Sequence, residues 1–152
     1  MKKFSHCRLF ILMRNDLPSL TPGRKMAHAA HAANQFTFQH SKNENVKRWQ
    51  HDACGFGTTI CLSVNEEELK STIKAAIKAG RPAGLVFDPE YGYPLPAEIA
   101  KLIDRRTFSA DAIIKDDGQW ILFRKELTCG YLFVHDDSPE RQTLVGHLPL
   151  HP

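Results

Sequence analysis

Apolar and polar positions alternate along the chain in blocks that separate strands from helices. "CRLFILMR" (7–14) is a continuous apolar run with polar ends, the pattern of a central strand covered on both faces. "NDLPSLTPG" supplies turn chemistry, and a helix opens near Thr21–Pro22, where proline suits a first turn, and runs to about Phe38. Residues 39–57 are polar and mixed and read as a helix end followed by a loop. "TTICLSV" (58–64) is a second strand, rich in β-branched residues. "NEEELKSTIKAAIKAGRP" (65–82) is the clearest element: Asn65 with Glu68 is a capping-box pair, and Leu69, Ile73, Ala76 and Ile77 form one apolar stripe. Gly80 and Pro82 stop it. "AGLVFD" (83–88) is a third buried strand.

The next stretch is less regular. Residues 89–96 read as a loop, 97–106 as a short helix, and 111–126 as a hairpin turning at Asp117–Gly118. "TCGYLFV" (128–134) is a further strand, and a Ser cap with proline after it opens a short helix over 138–148. Strand–helix–strand–helix–strand order predicts an α/β fold, three layers (α/β/α) around a small mixed β-sheet, with a helix and hairpin over residues 97–126. At 152 residues the chain suits a single domain spanning 1–152.

Charge and cysteine usage narrow the classes. The formal charge of +3 is compatible with a polyanionic ligand without requiring one. No apolar run approaches the roughly 18–20 residues of a membrane span, and the basic start with its short "LFILM" block reads as a strand, not a secretory leader. Cys7, Cys54, Cys61 and Cys129 show no C-x-x-C spacing, which suits free thiols in a reducing cytoplasm.

Chemistry concentrates in "TPGRKMAHAAHAANQF" (21–36), an alanine-rich helix start carrying Arg24, Lys25, His28 and His31. Arg24, His28 and His31 fall on one side at helical spacing. Unsatisfied N–H groups and flanking cations make a helix start receptive to an anion. A solvated polar stripe is the plainer reading of the same residues. Asp88 ends an apolar strand, where α/β proteins place ligand-facing groups; a loop-capping aspartate is its plainer reading. Thr128 opens another strand and offers a hydroxyl. His28-x-x-His31 with Asp88 resembles a partial zinc set, but spacing supplies no ligand beyond these, so neither metal nor cofactor is expected. Trp49 and Trp120 read as packing residues more than base-stacking ones.

These pieces together resemble the type-2 peptidyl-tRNA hydrolase family. Its helix motif, Gly-Lys-x-x-Ala-Gln-x-x-His-Ala, follows a strand ending in an Arg-x-Asp-Leu turn. Here Arg14, Asp16 and Leu17 stand in the turn, and Gly23, Arg24, Ala27, His28, His31 and Ala32 follow in gapless register. "GRPAGLVFD" matches the strand ending in the family's functional Asp, which is Asp88, while "LTCGYLF" and "VGHLPLHP" resemble its closing segments. The chain departs from the pattern at four places, one of them a helix and hairpin inserted around residues 97–126, where the family turns directly into its last strand. Arg24 replaces the family lysine, His28 its glutamine, and Gly92 stands where a threonine is expected after the Asp.

The resemblance implies water-mediated cleavage of the ester between a peptide and the terminal ribose of tRNA, without metal or covalent nucleophile. Asp88 would orient the water with His28, Arg24 and the first-turn N–H groups would stabilise the oxyanion or the terminal phosphate, and Thr128 would donate a hydrogen bond. Lys25, Lys42, Lys47 and Arg48 would track the tRNA backbone, with His31 and Asp16 in structural roles. It also implies tRNA as partner, a cytoplasmic setting and homodimers as an oligomeric option. A catalytically inactive tRNA- or protein-binding member of the same fold stays open beside it.

Overall fold

The computed structural model describes residues 6–102 and 113–152. It contains two compact units, one of Met1–Val86 with Thr128–Pro152, the other of Phe87–Leu127. In chain order the elements are β1 (Cys7–Arg14), α1 (Pro22–His40), α2 (Glu44–Asp52), β2 (Thr59–Val64), α3 (Glu66–Lys78), β3 (Ala83–Pro94), α4 (Ala97–Leu102), β4 (Ile113–Asp116), β5 (Gln119–His135) and α5 (Pro139–Val145).

The first unit is a four-stranded mixed sheet in the order β2-β1-β5-β3. β1 runs parallel to β2 and antiparallel to β5, with Ile11 opposite both Cys61 and Tyr131. β1 lies in the sheet interior, and its residues are almost all buried, as the unbroken apolar run requires. Alternation sends Leu9, Ile11 and Met13 to one face and Phe10, Leu12 and Arg14 to the other.

Helices cover both faces. On the first, Phe36 of α1 sits at ring-centroid distances of 5.7 Å from Trp49 of α2, 5.5 Å from Tyr131 and 5.1 Å from Phe133. Burying a side chain of that size stabilises by about 2–3 kcal/mol. On the second, Leu69 and Ile73 of α3 pack against Gly130, and Arg141 of α5 lies over the Phe10 ring at 6.0 Å. The expected three-layer α/β/α arrangement is therefore present.

Arg14 ties this second layer to the sheet. Its buried guanidinium meets Asp16 at 2.8 Å and Glu66 at 3.1 Å, while Asp16 Oδ2 accepts from the Glu66 backbone N–H at 3.1 Å. Asp16 thereby binds an N–H in the first turn of α3, beyond the Asn65–Glu68 capping box, whose two hydrogen bonds are both 2.9 Å.

Several boundaries differ from the sequence expectation. The polar stretch 39–57 contains a full helix, α2, capped by Asn43 Oδ1 and buried through Val46 and Trp49. β3 continues to Pro94 through the segment expected to be a loop. The hairpin strand and the strand at 128–134 are one element, β5. α5 ends at Val145, with Gly146 as its cap, short of residue 148. Residues 103–106 of the expected helix and 111–112 of the expected hairpin lie outside the described residues.

In the second unit β4 pairs with β5 from Asp116 opposite Gln119 outward. Asp117 and Gly118 turn the hairpin with φ of 44° and 82°, both left-handed as a tight hairpin turn demands. The Leu95 N–H donates to the Trp120 carbonyl at 2.8 Å, and the Tyr91 and Tyr93 rings lie 5.0 Å apart.

Candidate active site

α1 begins with Pro22 after Thr21, and its first turn carries no acidic residue. The start of the helix is therefore electropositive from its own N–H groups, with Arg24 and Lys25 adding to it. Both side chains are half-buried, and Arg24 Nη1 donates to the Ser19 carbonyl at 3.4 Å.

The stripe of Arg24, His28 and His31 is present but not uniform. His28 is 3 % exposed and lies in the core-facing set with Ala32 and Phe36, whereas His31 is exposed. The two imidazoles meet edge to face at 5.2 Å. Among the described residues no group of three His, Cys, Asp or Glu side chains could hold a metal ion.

The structure brings His28 and Thr128 together. His28 Nδ1 lies 3.3 Å from Thr128 Oγ1, and both side chains are buried. Thr128 also donates to the Val86 carbonyl at 3.5 Å, so its hydroxyl links α1, β5 and β3 within the first unit. Cys129 completes the contact from the next residue: its thiol donates to the His28 carbonyl at 3.4 Å. Burial pushes that thiol up to about 12, so it remains protonated and inert.

Two contacts here escaped sequence reasoning. Cys129 gave no signal, because only folding places it under His28. Gln35 gave one: it continues the 24, 28, 31 spacing by one more turn, and its Nε2 donates to the Leu85 carbonyl at 3.1 Å. This side of α1 is thus fastened to β3 at Leu85 and, through Thr128, at Val86.

Asp88 follows two residues later in the sequence and belongs to the second unit. Its half-buried carboxylate accepts from the Glu90 N–H at 2.9 Å. Lys42, Lys47 and Arg48 are all exposed. Lys47 pairs with Glu44 at 2.7 Å and Arg48 with Asp52 at 3.7 Å. Exposed pairs of this kind are worth about 0–1 kcal/mol, so a phosphate can displace them.

A sequence profile described as peptidyl-tRNA hydrolase PTH2 matches residues 7–93. The chain belongs to this family. The match takes in Asp16, Arg24, Lys25, His28, His31 and Asp88, whereas Thr128 lies beyond it. Hydrolysis of peptidyl-tRNA is the activity of the family as a whole, and tRNA is the partner that goes with it. No curated protein matches the chain. Among the described residues, no helix is long and apolar enough to cross a membrane.

Proposed function

We propose that this chain hydrolyses the ester between a peptide and the terminal ribose of tRNA. The observation that carries the reading is the family match, which runs through the electropositive start of α1 and the Asp88 strand.

In this reaction the oxygen of a water bonds to the acyl carbon while Asp88 orients the water and takes its proton. The carbonyl oxygen becomes an oxyanion facing Arg24 and the first-turn N–H groups of α1. Collapse breaks the bond to the ribose oxygen, which receives the proton, and releases tRNA and a peptide acid. An arginine cannot accept a proton near neutral pH, so Arg24 acts only through its charge and its donors. His28 and Thr128 are buried against one another and serve as positioning residues for the start of α1. Lys25, Lys42, Lys47 and Arg48 contact tRNA phosphates without reading bases.

Single-turnover cleavage of an N-blocked aminoacyl-tRNA tests the assignment. Asp88→Asn is expected to lose about 10²–10⁴ in rate with tRNA affinity retained, and near-full activity would remove Asp88 from the mechanism. Two substitutions, Arg24 for the family lysine and Gly92 for its threonine, favour a second reading as an inactive tRNA-binding member. Wild-type protein that binds tRNA and leaves the ester intact would establish it.

A further inference from the structure

The side of α1 turned away from Arg24, His28 and His31 borders a cleft of about 570 Å³, within the range of small-molecule sites. Pro22, Lys25, Met26 and Ala29 form its helical wall, and Met13 of β1 and Cys61 of β2 its floor. The remaining wall is His151 and Pro152, held along β2 by the His151 N–H on the Cys61 carbonyl at 3.0 Å and the Ser63 N–H on the Pro149 carbonyl at 2.9 Å. All of these residues belong to the first unit.

Two features point to a ligand with both a flat apolar part and an anionic part. Three sulfur-bearing side chains line the cleft, and thioether sulfur makes favourable contacts at aromatic ring edges. Lys25 is half-buried, and among the described residues no hydrogen bond or ion pair engages its ammonium. A compact cation at the start of a helix with no acidic residue in its first turn suits a phosphate. His151 adds an Nε2 that is buried without a partner.

We propose that this cleft receives one unpaired nucleotide of the tRNA 3′ strand, with its base among Met13, Met26 and Cys61 and its phosphate on Lys25. The proposal rests on the tRNA reading above and adds a second foothold to it. The cleft and the His28 side are separated by the width of one helix, about 10–12 Å. The occupant is therefore a nucleotide next to the reacting end, and a strand crossing the start of α1 reaches both sides.

Cys61 reports on occupancy. In a Cys54→Ser background it is the half-exposed thiol, while Cys7 and Cys129 are buried. The single-stranded trinucleotide CCA should slow alkylation of Cys61 at least fivefold and saturably, and Lys25→Met should abolish that protection. Met26 is 72 % exposed, so Met26→Glu alters the rim without disturbing the core. It should raise KM for N-blocked aminoacyl-tRNA about tenfold at unchanged kcat, because a carboxylate among the base contacts repels the adjoining phosphate. Absence of protection by millimolar trinucleotide would overturn the proposal, as would protection by an N-blocked dipeptide acid in its place. Ester cleavage without protection would sink the cleft and keep the hydrolase, whereas protection without cleavage would do the reverse.

Discussion

Gly57→Ala should be among the most damaging single-methyl changes in this chain, and Gly55→Ala supplies its control. Both glycines lie in the turn from α2 to β2 with left-handed backbones, φ +72° and +91°. A side chain at either position costs about 1–2 kcal/mol in conformation, offset by about 0.4–1 kcal/mol from the stiffer unfolded chain. Nothing lies within 4 Å of a Cβ placed at 55, whereas at 57 it would stand 1.9 Å from Trp49 Cε2 and 2.1 Å from Cζ2. The indole has no easy retreat. It is 2 % exposed, hydrogen-bonded from Nε1 to the Thr58 carbonyl at 3.1 Å, and wedged against Phe36 and Phe133. Overpacking of this kind adds about 1–3 kcal/mol. The expected losses are about 1 kcal/mol for Gly55→Ala and about 3 kcal/mol for Gly57→Ala. In a chain of this size those losses lower Tm by roughly 3 °C and 9 °C. Urea unfolding followed by tryptophan fluorescence and by circular dichroism reads both. Equal losses in the two variants would show that Trp49 is not seated on Gly57.

Other consequences are open to direct measurement. Burial alone would raise the Asp16 pKa, but the Arg14 guanidinium and the Glu66 N–H outweigh it and hold the carboxyl below its ordinary 3.8. The folded pKa is depressed, so its stabilisation is complete above that ordinary value and is lost as pH falls through the folded one. Asp16→Asn should therefore cost about 0.5–1 kcal/mol at neutral pH after solvent screening, and its gap from wild type should close in acid. A gap that persists undiminished at about pH 2 would contradict this. In the native protein near pH 8 an aromatic disulfide reagent should modify exposed Cys54 first and Cys61 slowly, because burial raises the Cys61 pKa. Cys7 and Cys129 should react only after unfolding; rapid modification of all four would mean that the β1–β5 core is not closed.

What the sequence disclosed and what it withheld divide by range of interaction. α3 was legible because its determinants are local: Asn65 and Glu68 close their own capping box, and the apolar stripe repeats at helical spacing. The hairpin turn was legible for the same reason, since Asp-Gly supplies the left-handed conformations itself. α2 was not, because only Val46 and Trp49 of its nine residues are buried. Those two acquire meaning from Phe36 and Phe133, which the folded chain brings to them. β3 looked finished at Asp88 because proline and glycine follow. Its continuation depends on hydrogen bonds to another strand, and local composition does not encode a partner.

The candidate site repeats that division and gains its content from it. Spacing placed Arg24, His28 and His31 on one side of a helix but could not distinguish a solvated stripe from one anchored at its middle. Thr128 and Cys129, a hundred residues away, supply the distinction: one takes the His28 ring and the other its carbonyl, while His31 stays at the surface. With His28 committed to the core, the groups left at the start of α1 for chemistry are cations and backbone donors. Arg24 cannot accept a proton near neutral pH, so under the proposed reaction Asp88 serves as the base. Arginine at position 24 removes one candidate for that proton that a lysine would offer, which sharpens Asp88→Asn as a test.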